Sequence, residues 1–271
     1  MVGRRHTEPI QFAELTQQGR RMRLEYQWVG DAASTQPVLV FLHDGLGSLA
    51  MWKNFPRRLC EAHGLRGLMY SRYGYGQSTP KPPEERWGVD FLHVQAREVL
   101  PQLLAGLGIE RPWLYGHSDG GSIALLYAAS HPASGVVVAA PHILVEDLTL
   151  ASIENARGSY ESTDLRQRLG RYHADADSAF RGWNDVWLDP AFRAWTIEDE
   201  MPRLRCPVFA LQGLDDEYGT LEQIRGIARR APQTRLLELP HCGHAPHRDQ
   251  PDLVIDEVGR FIAQNPPAVH P

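Results

Sequence analysis

The sequence contains few cysteines and no long uninterrupted apolar segment. Its 271 residues include three cysteines, Cys60, Cys206 and Cys242, which are widely spaced. An odd number of scattered cysteines argues against a disulfide framework and indicates a reducing compartment, so a cytoplasmic location is expected. No apolar stretch approaches the roughly 20 residues that cross a bilayer. Residues 1–12 are polar and lack the apolar core of a secretory signal.

The sequence also has fewer basic than acidic side chains. The chain has 28 Lys and Arg against 33 Asp and Glu, a formal net charge of −5. This balance argues against nucleic acid or an anionic membrane as the main partner. There is no low-complexity block and no internal repeat, and a hydrophobic content of 42% is ordinary for a globular domain. The expected partner is therefore a small molecule, while the oligomeric state is left open.

The most informative stretch reads Gly-His-Ser-Asp-Gly-Gly, from Gly116 to Gly121. An apolar run precedes it and an apolar helical run follows it. Strand, Gly-x-Ser-x-Gly and helix in this order are typical of a nucleophile elbow, a tight turn that exposes a serine hydroxyl. The glycines let the chain pass close to the strained serine on both sides. The pattern predicts Ser118 as a nucleophile and the N–H of Asp119 as an oxyanion donor.

Candidate partners for Ser118 follow it in the chain order serine, acid, histidine that such hydrolases show. An apolar strand at 207–211 leads to Gly213, Asp215 and Asp216, and a second short strand at 236–240 precedes the loop that contains His244. An acid and a histidine that follow different strands converge on one serine when the strands lie side by side in a parallel sheet. The sequence therefore predicts an α/β fold with a mostly parallel central sheet flanked by helices.

The rhythm of strands and helices is clear in the first half of the chain. Apolar patterning predicts strands at 23–29, 38–42, 67–71 and 135–140, and helices at 52–62 and 89–107. The second of these helices contains Pro101, which is expected to kink or split it.

The alternation of predicted strands and helices stops after residue 141. Residues 142–203 are helical in composition, rich in aromatic residues and interrupted by Gly158, Gly170 and Gly182. About sixty residues exceed what a crossover between strands needs. We predict a helical lid at 142–203 inserted into a core domain formed by 1–141 and 204–271. Most of the lid aromatics should pack the lid onto the core, and Trp183 and Trp187 are candidates for the substrate pocket.

A glycine-rich turn, 43–48, directly follows the apolar strand at 38–42. Acyl transfer needs a second N–H beside that of Asp119, and the loop after this strand usually supplies it. By position, Gly45 is the predicted donor. His43 is expected to shape the loop and is also a candidate for the pocket wall.

Together these pieces resemble the lid-bearing branch of the α/β-hydrolase superfamily, which includes esterases, lactonases, carbon–carbon bond hydrolases and proline iminopeptidases. The resemblance extends over residues 24–261 and rests on 43–48 with Trp52, 71–78, the elbow, 213–216 and 243–247. It implies the α/β-hydrolase fold, a Ser-His-Asp triad and no cofactor. One departure is that the family usually has His-Gly where this chain has His43 and Asp44. That carboxylate either opposes negative charge in the oxyanion hole or points away and pins the loop.

The acid of the triad has more than one candidate. The resemblance places it three residues after Gly213, at Asp216, with Asp215 as the neighbouring alternative. The pair Glu146 and Asp147, which follows the strand at 135–140, is a second alternative.

Several histidines are candidates for the base of the triad. His241, His244 and His247 recur every three residues with Cys242 among them, a spacing that could indicate a metal cluster. Neither an H-E-x-x-H signature nor paired cysteine ligands accompany them, so no metal is expected. His244 is the predicted base, while His241 and His247 are expected to be structural and Cys242 a small buried residue.

These expectations predict a serine hydrolase that cleaves a small or medium, mostly apolar carboxylic ester or lactone through an acyl-enzyme. One alternative is a carbon–carbon bond hydrolase of ring-cleavage products on the same fold. The other is a non-catalytic small-molecule receptor on a hydrolase scaffold, which the presence of all three triad residue types disfavours.

Overall fold

The computed structural model describes residues 8–17 and 19–266. The two ends of the predicted core domain, residues 1–7 and 267–271, therefore lie outside the described part. Its centre is one eight-stranded sheet in the order β1-β2-β4-β3-β5-β6-β7-β8. The strands are β1 (Gln11–Gln17), β2 (Arg20–Gly30), β3 (Leu39–Leu42), β4 (Arg66–Tyr70), β5 (Trp113–His117), β6 (Gly135–Ala139), β7 (Val208–Gly213) and β8 (Thr234–Leu239). Strands β3 to β8 are parallel, whereas β1 and β2 run antiparallel to their neighbours. The predicted mostly parallel sheet is confirmed.

Helices cover both faces of this sheet. They are α1 (Phe55–His63), α2 (Phe91–Val94), α3 (Leu100–Gly106), α4 (Asp119–Ser130), α5 (Asp147–Ser162), α6 (Leu165–Leu169), α7 (Ala176–Trp187), α8 (Glu222–Arg230), α9 (Pro246–Asp249) and α10 (Pro251–Gln264). Leu39 and Phe41 belong to the core under α1 and α10, while Val40 and Leu42 belong to the core on the opposite face. Strands buried on both faces have little room for polar side chains, which is why the central strands are mostly apolar, with Gln212 and His117 near their carboxyl ends as exceptions. Among the described residues, no helix combines the length and apolar character needed to cross a bilayer.

Two regions differ in detail from the sequence prediction. The predicted helix at 89–107 is divided into α2 and α3 by a π-helical turn at Gln95–Val99, immediately before α3 and its Pro101. Proline has no N–H for the helical ladder, and a widened turn accommodates the missing bond. Strand β1 was not predicted. It is an edge strand with a largely exposed surface, so its sequence lacks a strong apolar signal.

Within the described residues 142–203, helices α5, α6 and α7 and two 3₁₀ turns at Pro190–Ala194 and Glu198–Arg203 replace strands, apart from a single bridge between Leu144 and Thr196. The expectation that glycines interrupt these helices is wrong for Gly158, which lies inside α5, and for Gly182, which lies inside α7. A Cβ at Gly182 would fall 2.7 Å from the ring of Trp87. Gly182 therefore serves close packing rather than flexibility.

These two helical glycines should respond oppositely to replacement by alanine. At Gly158 no heavy atom lies within 4 Å of the added Cβ, and alanine has a better helix propensity by about 1 kcal/mol. Gly158→Ala should therefore raise the free energy of unfolding by about this amount. Gly182→Ala should lower it by about 1–3 kcal/mol, because the Cβ collides with Trp87. Urea unfolding measures both, and a destabilised Gly158→Ala variant would contradict the helical assignment.

Candidate active site

Ser118 occupies a strained turn between β5 and α4. Its φ of 53° and ψ of −121° are unusual for a residue with a side chain. A Cβ at Gly116 would lie 2.2 Å from the carbonyl oxygen of Gly120, and a Cβ at Gly120 would lie 2.1 Å from the carbonyl oxygen of Leu42. Only glycine fits at both places. The turn therefore holds the serine at the carboxyl edge of the sheet, where the loops after neighbouring strands also meet.

The structure brings Ser118, His244 and Asp216 together in a line. The Nε2 atom of His244 lies 3.0 Å from Oγ of Ser118, and its Nδ1 atom lies 2.8 Å from Oδ1 of Asp216. Since Nδ1–H donates to the carboxylate, Nε2 is left as the acceptor for the serine hydroxyl. The side chain of His244 is 13% exposed and that of Asp216 only 1%. This is the geometry in which a histidine can remove the proton of an attacking serine.

Further hydrogen bonds fix the Asp216 carboxylate. Its Oδ1 atom accepts from the backbone N–H of Tyr218 at 2.8 Å, and its Oδ2 atom accepts from Nε2 of Gln212 at 2.9 Å. Neither Gln212 nor Tyr218 was predicted as part of the site. The available signal was the position of Gln212, a polar residue near the carboxyl end of an otherwise apolar buried strand. A carboxylate held by this many donors keeps one orientation toward His244.

The alternative acids lie elsewhere. Asp215 is exposed to solvent. Glu146 accepts hydrogen bonds from Thr220 and Gln223, and Asp147 is exposed and pairs with Arg193. Glu146 thus connects the segment after β6 to the start of α8, which is a structural role.

Burial and charge act in opposite directions on the pKa values of this pair. Burial alone lowers the pKa of His244, but the hydrogen bond and charge of Asp216, with the charges of Asp44 and Glu217, raise it above the ordinary 6.5. Burial also raises the pKa of Asp216, but the hydrogen bond and charge of His244 and the N–H of Tyr218 bring the net value below the ordinary one. Asp216 is therefore ionised near neutral pH, and His244 is a stronger base than a free imidazole.

A cavity of about 260 Å³ lies in front of Ser118. Its walls contain the predicted oxyanion donors Gly45 and Asp119 and the predicted pocket residues Trp183 and Trp187. A Cβ at Gly45 would lie 2.2 Å from Nε1 of Trp183, so the glycine allows α7 to pack directly on residues 43–48, the predicted oxyanion loop. This size suits a small ligand.

His43 is buried and is not among the residues that line this cavity. Both nitrogens of its ring are used inside the protein: Nδ1–H donates to the carbonyl of Asp44 at 2.8 Å, and Nε2 accepts the N–H of Arg72 at 3.0 Å. The guanidinium of Arg72 donates to the carbonyls of His43 and Asp44, the latter at 2.9 Å. Arg72 was not predicted, and it fixes the backbone of the oxyanion loop.

The side chain of Asp119 is buried beside the elbow. Its Oδ1 atom accepts from Nε1 of Trp187 at 3.1 Å, and its Oδ2 atom lies 3.8 Å from Nη2 of Arg72. Burial raises the pKa of this carboxyl to about 6, against the opposing effects of Arg72 and Trp187. Asp119 therefore connects α7 to the elbow through its side chain, in addition to the N–H that was predicted to face an oxyanion.

The other two histidines of the 241–247 loop have surroundings different from those of His244. His247 is buried and packs against the rings of Trp52, Phe55 and His117, while His241 is exposed. Cys242 is buried. No group of three or more His, Cys, Asp or Glu residues in the described ranges is arranged to hold a metal ion.

A mostly parallel sheet that carries a serine on a strained strand-to-helix turn is the architecture of the α/β hydrolases. A model of the alpha/beta hydrolase family matches residues 39–257, well over half of the sequence. The chain therefore belongs to this family, and the predicted superfamily is confirmed.

Individual relatives are distant but cover most of the chain. The sn-1-specific diacylglycerol lipase ABHD11 of Mus musculus is 24% identical, with 96% of this chain and 94% of that protein covered. The 2-hydroxy-6-oxo-6-phenylhexa-2,4-dienoate hydrolase of Burkholderia cepacia is 24% identical, with 80% and 84% covered. The crystal structure of VinJ is 25% identical and superposes with a TM-score of 0.73, covering 94% of this chain and 99% of VinJ. VinJ shares the fold of this chain, and the two named enzymes are named for different substrates.

The contacts of the two neighbouring aspartates predict different effects of losing each charge. Asp216→Asn removes the carboxylate that orients His244, and turnover should fall by about 10⁴-fold. Asp215→Asn changes an exposed side chain and should leave turnover near that of the unmodified enzyme. Steady-state kinetics on an ester substrate measure both variants. Equal losses, or a loss confined to Asp215→Asn, would contradict the orientation seen at Asp216.

The raised pKa of His244 predicts the pH dependence of activity. A general base must be neutral, so kcat/KM should rise with pH through the pKa of His244, with a midpoint above 6.5. Asp44→Asn removes one negative charge that raises this pKa, and the midpoint should therefore move to lower pH. Asp256→Asn, which removes an exposed charge on α10, is the matched control and should leave the midpoint unchanged. A midpoint at or below that of free histidine would refute the electrostatic account.

Proposed function

We propose that this protein is a serine hydrolase that cleaves a small or medium carboxylic ester or lactone through an acyl-enzyme. The observation that carries the proposal is the line of hydrogen bonds from Ser118 through His244 to Asp216, at 3.0 and 2.8 Å. A strained serine beside a buried, oriented imidazole has no evident structural use. The proposal also agrees with the name of the mouse relative, a diacylglycerol lipase.

The first half of the reaction forms the acyl-enzyme. His244 takes the proton of Ser118 as Oγ attacks the carbonyl carbon, and Asp216 stabilises the imidazolium that results. The N–H groups of Gly45 and Asp119 hold the oxyanion of the tetrahedral intermediate. His244 then gives its proton to the leaving oxygen. In the second half, water attacks the acyl-enzyme with His244 again as the base, and Ser118 is regenerated.

Residues 142–203 act in this proposal as the lid over the site. Helix α7 contacts both oxyanion elements, because Trp183 packs on Gly45 and Trp187 donates to Asp119. The size and shape of the acyl group that fits are therefore set mainly by this helix.

The charge of the cavity disfavours the carbon–carbon bond hydrolase alternative. The bacterial relative is named for a dienoate, an anionic substrate. Arg248 is the one arginine or lysine among the residues that line this cavity, whereas four acids line it: Asp44, Asp119, Glu217 and Asp249. An anionic substrate would enter against this excess of negative charge.

The decisive experiment removes the proposed nucleophile. Ser118→Ala should lower the turnover of p-nitrophenyl esters by about 10⁴- to 10⁶-fold while the protein stays folded, because no nucleophile remains. A fluorophosphonate probe should label the unmodified protein at Ser118 and should not label the variant. Hydrolysis at an undiminished rate by a pure Ser118→Ala preparation would disprove the serine mechanism. Absence of both labelling and hydrolysis in the unmodified protein would favour the receptor alternative.

A further inference from the structure

Two hydrogen-bond acceptors, a ring nitrogen of His117 and a carboxylate oxygen of Asp44, lie near each other in residues that line the cavity. Nε2 of His117 lies 2.7 Å from the carbonyl oxygen of His244, and this bond requires the proton to be on Nε2. Nδ1 of His117 therefore carries a lone pair. Oδ1 of Asp44 lies 3.9 Å from this Nδ1, which is too far for a direct hydrogen bond. Among the described residues Nδ1 has no partner, although His117 is only 2% exposed.

The Asp44 carboxylate has a clear place in this arrangement. A Cβ at Gly47 would lie 2.2 Å from Oδ1 of Asp44, so Gly47 leaves the space that the carboxylate occupies. Arg72 binds the backbone carbonyl of Asp44, and in the described part of the chain no arginine or lysine lies within 4 Å of its carboxylate. The side chain is 26% exposed and lines the cavity with Ser118. The carboxylate thus points neither out of the site nor into a salt bridge.

A shared donor would satisfy both the imidazole nitrogen and the carboxylate at this separation. His117 is neutral near pH 7, since burial lowers its pKa to about 4. Two acceptors facing each other repel unless a group with at least two N–H or O–H bonds lies between them, and an unpaired charge within a pocket is costly. A positively charged ammonium satisfies both requirements: it donates to Nδ1 and to Oδ1 and compensates the negative charge.

We propose that Asp44 and His117 bind an ammonium group of the substrate, so that the enzyme acts on esters or lactones whose acyl part carries an amine. This inference rests on the proposed function, because the acyl carbonyl must sit at Ser118. Asp44 adjoins Gly45 and His117 adjoins Ser118 in the sequence, so the ammonium site borders the elements proposed to hold the acyl carbonyl. Two further acidic residues, Glu217 and Asp249, also line the cavity and would attract the same positive charge. A carboxylate in the acyl part would be repelled by the same residues.

Esters that share one leaving group and differ in the charge of the acyl part test this inference. The 2-naphthyl esters of 4-aminobutanoate, pentanoate and succinate present an ammonium, a methyl group and a carboxylate at similar length. The esters of alanine and 2-methylpropanoate make the same comparison at a shorter length. At about pH 7, kcat/KM should be about 10- to 100-fold higher for the ammonium ester than for its neutral partner at one length at least, the range expected for a charge-assisted hydrogen bond. The succinate ester should be the poorest substrate.

Replacement of Asp44 assigns the preference to this residue. Asp44→Asn keeps the shape of the side chain and should reduce the ammonium-to-neutral ratio to about one, while the neutral esters are still cleaved. Asp44→Gly, with no side chain, should do the same if Asp44→Asn is poorly folded. Asp256→Asn removes an exposed charge of the same sign on α10 and should leave the ratio unchanged.

The outcomes separate this inference from the proposed function. Cleavage of neutral esters that depends on Ser118, without an ammonium preference at either length, would overturn the ammonium site and leave the serine hydrolase standing. A preference that persists in Asp44→Asn would overturn the role of Asp44. Absence of Ser118-dependent cleavage of every ester would overturn the proposed function itself.

Discussion

The strained backbone of Ser118 is the constraint on which the rest of the site depends. A residue with a side chain at φ 53° costs about 1–3 kcal/mol and persists only where its surroundings leave no alternative. Here Gly116 and Gly120 bring strand, helix and the end of β3 into close contact around the turn. The buried apolar strands on either side hold that contact. The position of Oγ relative to His244, and of the Asp119 N–H relative to Oγ, follows from the same turn.

Two carboxylates near this turn show how hydrogen bonding distinguishes a structural charge from one available to a ligand. Asp216 is almost fully buried, and its oxygens accept from His244, Tyr218 and Gln212, so its orientation is fixed and its charge is stabilised. Asp44 lines the cavity and faces an imidazole nitrogen that offers no proton. Burial strengthens the charge of Asp216, because little water is present to screen it, whereas the side chain of Asp44 is 26% exposed. The first arrangement orients a base, and the second is the one proposed to bind an ammonium group.

Helix α7 links the segment 142–203 to the chemistry. Trp183 packs on Gly45 and Trp187 donates to Asp119, so one helix contacts the two backbone elements proposed to stabilise an oxyanion. Arg72 supports the same region from behind through the carbonyls of His43 and Asp44. A displacement of α7 would therefore alter the cavity and the oxyanion loop together. This coupling gives the segment a direct route to influence catalysis as well as substrate size.

Local patterns in the sequence were sufficient for the α/β class and for the elbow with Ser118. They limited the acid to a few candidates and pointed to His244 as the base, and the fold brings Ser118, Asp216 and His244 together. Apolar runs and glycine spacing depend on neighbours in the chain, so they can be read without a structure. The tertiary structure alone decided which of two adjacent aspartates faces His244, that both ring nitrogens of His43 are hydrogen-bonded inside the protein, and that Gly158 and Gly182 are helical. It also decided the contacts of Arg72 with the oxyanion loop and of Asp44 with His117. These features depend on side chains far apart in sequence, whose distances are set by how strands and helices pack rather than by local pattern.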